Sequence, residues 1–260
     1  MNLIINHSVI CIIQARMSSS RLPGKVLKQI CGLPMLGWVV KRASRSRLIS
    51  SIIVATTIDP GDDLIETFCQ SEGISCFRGS EFDVLDRYYQ AAKPQHADIV
   101  VRLTADCPLI DAALIDATIE KLIEENADFS ANRLPPPFKR TFPIGLDTEV
   151  ATFKALETAW KLAEKPFERE HVMPYLYDPQ NNFKVTVLDA ENDYGNQRWT
   201  VDTPEDLEFI HQVTKELGCR MDFGWEDVLS LLSDNPELSK INANIAHKSV
   251  NDVDHRAKLK

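Results

Sequence analysis

Between positions 14 and 25 the chain reads Gln14-Ala15-Arg16-Met17-Ser18-Ser19-Ser20-Arg21-Leu22-Pro23-Gly24-Lys25, so small residues, hydroxyls and cations are interleaved in one short stretch. That mixture suits a chain of phosphates. Backbone N–H groups and serine hydroxyls can approach phosphate oxygens while Arg16, Arg21 and Lys25 supply the opposing charge. It is not a Walker loop, because Gly24-Lys25 is followed by valine and the leading glycine is missing. A second chemical signal is Asp106, a carboxylate in a turn: a hard oxygen ligand of this kind can hold Mg²⁺ against triphosphate oxygens. In the later half, Asp147, Glu149, Arg169, Glu170 and His171 put a cation and an imidazole among carboxylates. That set could grip an acidic ligand or orient a hydroxyl.

These residues need a frame. Val9 to Gln14 is a continuous apolar run ending in a polar turn, as expected of a strand buried on both faces of a parallel sheet, and Arg16 to Lys25 becomes the loop beyond its carboxyl end. From Met35 onward, Leu36, Val39, Val40 and Ala43 recur at helical spacing, with Lys41, Arg42 and Arg45 on the wetter side. The alternation then repeats: strand Ser51 to Thr57, helix Asp62 to Glu72, a short strand near Cys76, helix Val84 to Ala92, strand Asp98 to Leu103. Asp106 follows that strand, and Asp111 is placed to cap a helix whose buried stripe is Leu114, Ile115, Ile119, Leu122 and Ile123. Strands alternating with helices predict an α/β fold, a doubly wound and mostly parallel sheet of the Rossmann-like kind. Ligands of such sheets bind beyond the carboxyl ends of the strands, where the cationic loop and Asp106 both fall.

Pro135, Pro136, Pro137 and Pro143 forbid a regular element over Asn132 to Gly145, which reads as an arm or lid. Leu146 to Val150 and Phe183 to Leu188 read as later strands. Thr203 opens a helix with Pro204 at its first position and Leu207, Ile210, Val213 and Leu217 inward. One principal domain over 1–235 is expected, with the arm at about 132–146 and a polar, loosely packed tail over 236–260.

The formal net charge of -9 argues against a broad basic face for nucleic acid. None of the six cysteines forms a two-residue metal or redox spacing, so most are expected to be reduced core thiols. Leu3-Ile4-Ile5 is too short for a secretory signal, and no apolar run reaches the roughly 20 residues of a membrane span. A cytoplasmic enzyme with neither membrane nor nucleic-acid partner is the expectation, with a homodimer left open.

The run Ile13-Gln14-Ala15-Arg16 through Arg21-Leu22-Pro23-Gly24-Lys25, followed by Gly32-Leu33-Pro34-Met35-Leu36, resembles the cytidylyltransferases that activate sialic acids and KDO, most closely the spore-coat polysaccharide branch. The resemblance extends over about Val9 to Leu217. Two departures stand out: Gln14 replaces the usual proline, and Ala105-Asp106-Cys107-Pro108-Leu109 replaces the Gly-Asp-Glu-Pro-Leu of KDO enzymes. The resemblance implies a nucleotide-diphospho-sugar transferase-like fold in which CMP passes from CTP to a small anionic acceptor, an acidic sugar or phospho-acid, with release of pyrophosphate.

It further implies a nucleotide site of Gln14, Ala15, Arg16, Ser18, Arg21, Lys25, Arg78 and Thr104, with Arg78 near the base and Thr104 beside the α-phosphate. Asp106 matches the metal-binding aspartate, and Asp202, in Asp202-Thr203-Pro204-Glu205-Asp206-Leu207, matches a second ligand of Mg²⁺. Arg16, Lys25 and Asp106 are the expected catalytic groups. Asp147, Glu149, Arg169 and His171 fall where the family keeps its acceptor. Sugar-1-phosphate nucleotidylyltransferases and guanylyltransferases of this fold begin with a Gly-Gly loop, unlike Gln14-Ala15-Arg16. A glycosyltransferase would show an Asp-x-Asp, which Ala105-Asp106-Cys107 lacks. A catalytically silent nucleotide-binding module is disfavoured by the two metal-type aspartates.

Overall fold

The computed structural model describes residues 7–135 and 138–245. The opening Leu3-Ile4-Ile5, the pair Pro136-Pro137 and the tail from 246 lie outside the described residues. In chain order the strands are β1 (Val9–Gln14), β2 (Gln29–Ile30), β3 (Leu33–Pro34), β4 (Ser51–Thr57), β5 (Ser75–Gly79), β6 (Ile99–Thr104), β7 (Phe129–Ala131), β8 (Glu149–Thr152) and β9 (Val185–Val187). The helices are α1 (Met35–Ala43), α2 (Asp63–Glu72), α3 (Val84–Ala92), α4 (Ala112–Glu124), α5 (Phe153–Leu162), α6 (Pro166–His171), α7 (Pro174–Tyr177), α8 (Pro204–Glu216) and α9 (Trp225–Asp234).

Seven strands form one sheet in the order β5-β4-β1-β6-β8-β7-β9, while β2 and β3 make a separate small hairpin. The half β5-β4-β1-β6 is parallel throughout, so Gln14, Thr57, Gly79 and Thr104 all end at one sheet edge. β8 runs antiparallel to both β6 and β7, which makes the sheet mixed rather than wholly parallel. Alternate residues of β1 feed opposite cores: Ile10 and Ile12 pack with Leu85, Tyr88 and Leu156, whereas Val9, Cys11 and Ile13 pack with Leu36, Val39 and Ile115. Burial on both faces explains the unbroken apolar run. A third core joins the hairpin to α8 and α9 through Ile30, Trp38, Trp199, Phe209 and Val228.

Several expectations are corrected. Arg42, placed on the wet side of α1, is only 2% exposed. Its guanidinium donates to the carbonyls of Ile110, Met221 and Phe223 at 2.8–3.1 Å and lies 3.9 Å from the Phe223 ring centroid. Burial pushes its pKa down to about 10. Of the cysteines, Cys11, Cys69, Cys76 and Cys107 are free thiols, as expected of most, while Cys31 and Cys219 form a disulfide across a sequence separation of 188. The eighth strand begins at Glu149 rather than Leu146, because Gly145, at φ +108, turns the chain so close to Trp199 and Thr200 that a Cβ would stand 2.6 Å from their backbone. The proline-rich arm is pinned at both ends by buried Asn132, Leu134 and Phe142. Beyond Pro236 the described chain is not loose: Leu238 and Asn242 are buried, and the Asn242 amide donates to the Arg198 carbonyl and Asp206.

Candidate active site

The cationic loop leaves β1 and is tied down before it reaches Lys25. Buried Asp62, at the start of α2, accepts from the Met17 backbone N–H at 2.7 Å and from both the N–H and hydroxyl of Thr57. Gly24 closes the loop in the left-handed region at φ +67, its N–H donating to the Met17 carbonyl at 2.9 Å. Glycine is the residue that adopts this turn without a Cβ penalty. A single turn of 3₁₀ helix, Lys25–Leu27, then sinks Lys25 to 7% exposure.

Two distant segments meet that lysine. The Asp106 carbonyl accepts the Val201 N–H at 2.9 Å and the Thr200 hydroxyl at 3.2 Å, which fixes the start of the Asp202 turn against the end of β6. Lys25 Nζ donates to Asp106 at 2.7 Å, to Asp202 at 2.9 Å and to the Val201 carbonyl at 2.7 Å, so all three of its N–H groups have partners. Asp202 also pairs with Arg21 at 2.8 Å and Arg198 at 2.9 Å. Burial alone would raise the Asp202 pKa, but Lys25, Arg21 and Arg198 overcome it and hold the carboxyl at about 2. Burial likewise opposes the Lys25 charge, yet Asp106 and Asp202 leave its pKa raised.

Helix α8 begins directly behind. Thr203 and Asp206 make a capping box, and fully buried Asp206 receives Arg198 Nε and Nη2 at 2.8 and 2.9 Å. Asp206 also accepts the Asp202 and Thr203 backbone N–H groups. Arg198 therefore joins Asp202 to a fixed helix start, the kind of supporting contact that holds a reactive carboxylate in place.

The cleft above these groups has a volume of about 330 Å³ and is lined by Gln14, Ala15, Arg16, Arg21, Lys25, Thr104, Asp106, His171 and Asp202 from the expected set. Gln14 presents a defined face. Its side-chain oxygen accepts from Arg102 Nε at 3.2 Å, which orients the amide and leaves its N–H groups as donors. Arg102 is held in turn by Glu149. His171 has a pKa lowered first by burial and then by Arg102, so the imidazole is neutral at pH 7, and its Nε2 is buried without a hydrogen-bond partner.

The other expected residues lie elsewhere. Arg78 turns away from the cleft: it pairs with Asp63 at 2.7 Å and Glu66 at 2.9 Å and donates to the Thr57 and Asp59 carbonyls. Arg169 grips Asp83, the cap of α3, through two bonds of 3.0 and 2.6 Å and donates to the Trp160 carbonyl. Asp147 pairs with Arg140 and Arg133, and Glu149 with Arg102, so this acidic pair does not join Arg169 and His171 as one cluster. Ser18 is exposed and stands outside the lining, which contains Ser19 and Ser20 instead. Sequence reasoning missed Arg87, Glu81, Phe82 and Arg198. Arg198 carried a signal: it lies four residues before Asp202 and eight before Asp206.

Among the described residues no three His, Cys, Asp or Glu side chains gather into a metal cage. Asp106 and Asp202 nonetheless fit a divalent cation. Their oxygens converge within hydrogen-bond distance of one ammonium, and two hard carboxylates completed by phosphate oxygens are a usual Mg²⁺ environment.

A parallel sheet edge carrying a cationic loop and two convergent carboxylates is an arrangement suited to a nucleotidyltransferase. Residues 10–227 match the family model described as cytidylyltransferase, and the chain belongs to that family. It is 38% identical over 248 residues to an uncharacterized protein of Methanocaldococcus jannaschii, covering 95% of this chain and 99% of that one. It is 30% identical over 238 residues to the spore coat polysaccharide biosynthesis protein SpsF of Bacillus subtilis, covering 89% and 96%. A cytidylyltransferase structure from Leptospira borgpetersenii superposes with a TM-score of 0.85 at 34% identity, covering 93% of this chain and all of that one.

Proposed function

We propose that the protein transfers CMP from CTP to a small anionic acceptor, an acidic sugar or phospho-acid, and releases pyrophosphate, in the cytoplasm and in the service of surface polysaccharide biosynthesis. The observation that carries this reading is the meeting of Lys25, Arg21, Asp106 and Asp202 at one end of the cleft. Family membership and the likeness to a spore-coat polysaccharide protein support it.

The acceptor oxygen attacks the α-phosphorus in line, a new P–O bond forms, and the bond to the β-phosphate oxygen breaks. Positioning and charge neutralisation carry such a transfer, since the protein forms no covalent bond. Arg16, Arg21 and Lys25 meet the negative charge that grows on departing pyrophosphate. Asp106 and Asp202 would hold Mg²⁺, which when bound polarises phosphoryl oxygens and lowers the pKa of a coordinated nucleophile. Arg198 and Asp206 keep Asp202 in place. Neutral His171 has the capacity to accept the acceptor's hydroxyl proton or to orient that hydroxyl.

The test is to incubate the protein with CTP, Mg²⁺ and a panel of acidic sugars, phospho-acids and neutral sugars while measuring pyrophosphate. Release with CTP and an anionic acceptor, and little with UTP, GTP or ATP, is expected. Equal use of all four nucleotides, or release only with neutral sugars or only under a nucleotide other than CTP, would overturn the reading.

A further inference from the structure

Asp62, just before α2, is a buried carboxylate that the transfer chemistry leaves unused. It is 3% exposed and does not line the cleft, yet it stands behind the cationic loop. A negative charge there works against a phosphate ligand. What it offers instead is geometry, because an ionised carboxylate is acceptor-only and its two oxygens can receive donors from two different segments. One oxygen accepts the Met17 N–H at 2.7 Å, and the other accepts the N–H and the hydroxyl of Thr57 at the end of β4. Near it lies buried Arg87, whose Nε and Nη1 have no hydrogen-bond partner; burial and Arg16 oppose that guanidinium's charge, and Asp62 favours it.

The Met17 peptide is the knot of the loop. Residues 15–24 form neither helix nor strand, and the Met17 carbonyl accepts the Ser19 and Gly24 N–H groups, both at 2.9 Å. Holding the Met17 N–H therefore holds both limbs of the loop, the one that leaves β1 and the one that returns to Lys25. On the other side of Asp62 the turn from β4 to α2 is cross-braced. The Thr57 hydroxyl accepts the Asp59 N–H at 3.1 Å, and the Asp59 side chain accepts the Gly61 N–H at 2.7 Å. Arg78, which turns away from the cleft, donates to the Thr57 and Asp59 carbonyls at 2.8 Å each. The bonds thus run from Arg78 through this turn and Asp62 to Met17, whose neighbours Arg16, Ser19, Ser20 and Arg21 line the cleft.

We propose that Asp62 is the positioning residue of the triphosphate loop, holding the Met17 peptide so that the loop meets the β- and γ-phosphates already in its binding shape. This rests on the cytidylyltransferase reading above and names the residue that presets its phosphate cradle. A loop without this tie has to be ordered by the ligand, and the apparent affinity falls with the fraction of time the loop spends in its binding shape. Because Asp62 acts through the loop and not from the cleft wall, its effect belongs to the triphosphate and not to the rest of the nucleotide.

The test compares wild type with Asp62→Asn and Asp62→Ala by calorimetry with CTP, inorganic tripolyphosphate and CMP, by steady-state kinetics and by thermal unfolding. Asparagine keeps the shape but has one acceptor oxygen, so it serves either Met17 or Thr57 and turns an N–H toward the other. Asp62→Asn is expected to lose about 10- to 100-fold in affinity for CTP and tripolyphosphate, as for a loop in its binding shape about 1–10% of the time, and at most about 3-fold for CMP. The KM for CTP should rise more than kcat falls, since bound triphosphate orders the loop. Asp62→Ala should go further in the same direction, and where it fails to fold, Asp62→Asn decides. A lower melting temperature with wild-type affinity for CTP and tripolyphosphate would make Asp62 a purely structural group and overturn the inference. Equal loss for CTP, tripolyphosphate and CMP would overturn it too. Wild-type protein that binds tripolyphosphate but not CTP would overturn the parent reading, and Asp62 would then be judged on tripolyphosphate alone. Wild type that binds neither would overturn both.

Discussion

Lys25 and Asp202, 177 residues apart in the chain, meet at 2.9 Å, and the same ammonium reaches Asp106 at 2.7 Å. Two carboxylates this close repel unless a cation stands between them. Lys25 is thus a structural keystone of the site, in addition to the charge that the proposed mechanism sets against the phosphates. Lys25→Met should therefore raise the Asp202 pKa, weaken CTP binding more than CMP binding, and lower turnover about 10²-fold or more. Steady-state kinetics with CTP and calorimetric titration with CTP and CMP would check it. Unchanged turnover would remove Lys25 from the mechanism.

Asp106→Ala and Asp202→Asn should each lose about 10²-fold or more in turnover while remaining folded. Asp202 adds a pH signature. Its pKa is about 2 in the folded chain against an ordinary 3.8, so the folded state binds fewer protons than the unfolded one across that interval. Its contribution to stability is complete above about pH 4 and is lost as pH falls toward 2. The difference in urea midpoint between wild type and Asp202→Asn should shrink over that window. A difference that stays constant would contradict the Lys25–Arg21–Arg198 account of the shift.

Asp206 is fully buried and receives Arg198 through two bonds, so Asp206→Ala leaves a buried guanidinium without its main counter-charge. Breaking one side of such a pair costs about 3–5 kcal/mol. Denaturant unfolding should register that loss, and turnover should fall as well because Asp202 loses the Asp206-anchored support of Arg198. Stability close to wild type would mean that Asp202 suffices as the acceptor for the Arg198 guanidinium.

The elements that carry the site were legible where one local rule governed them. Val9 to Gln14 had to be a strand because both its faces are buried, and Thr203-Pro204 had to start a helix because a hydroxyl cap and a first-turn proline agree. The loop cations and the aspartates at 106 and 202 were readable from residue type and from a family resemblance. Side chains whose partners lie far away in sequence were not. Arg42 counts as wet in any amphipathic pattern, yet three carbonyls and the Phe223 ring receive it. Arg78 and Arg169 were expected at the ligand, but Asp63, Glu66 and Asp83 claim them. Arg87 sat in the middle of a helix with no local sign that its guanidinium would lack a partner.

The disulfide links the hairpin that follows Lys25 to the turn after α8, which starts just past Asp202. Closing so long a loop restricts the unfolded chain strongly, and a contribution of about 2–4 kcal/mol is typical. Dithiothreitol should lower the melting temperature of wild type, and Cys31→Ser with Cys219→Ser should lower it similarly and abolish the response to reductant. A melting curve indifferent to reductant in wild type would remove the bond from the stability account.

His171 gives the last test, because burial and Arg102 both favour its neutral form. The folded chain then binds fewer protons than the unfolded chain as pH drops below the ordinary histidine value of 6.5. Stability therefore falls with acid from about pH 6.5 down to the lowered folded-state pKa, and the penalty is complete below it. His171→Gln removes the titration and should flatten that part of the stability-against-pH curve while keeping a polar side chain at the cleft. For activity the change should be milder than Asp106→Ala, since the proposed mechanism gives Asp106 the metal and phosphates and His171 only the acceptor's hydroxyl. If the imidazole takes the acceptor's proton, the acidic limb of kcat/KM should follow its lowered pKa in wild type and vanish in His171→Gln. An acidic limb that survives the substitution unchanged would leave His171 as an orienting group at most.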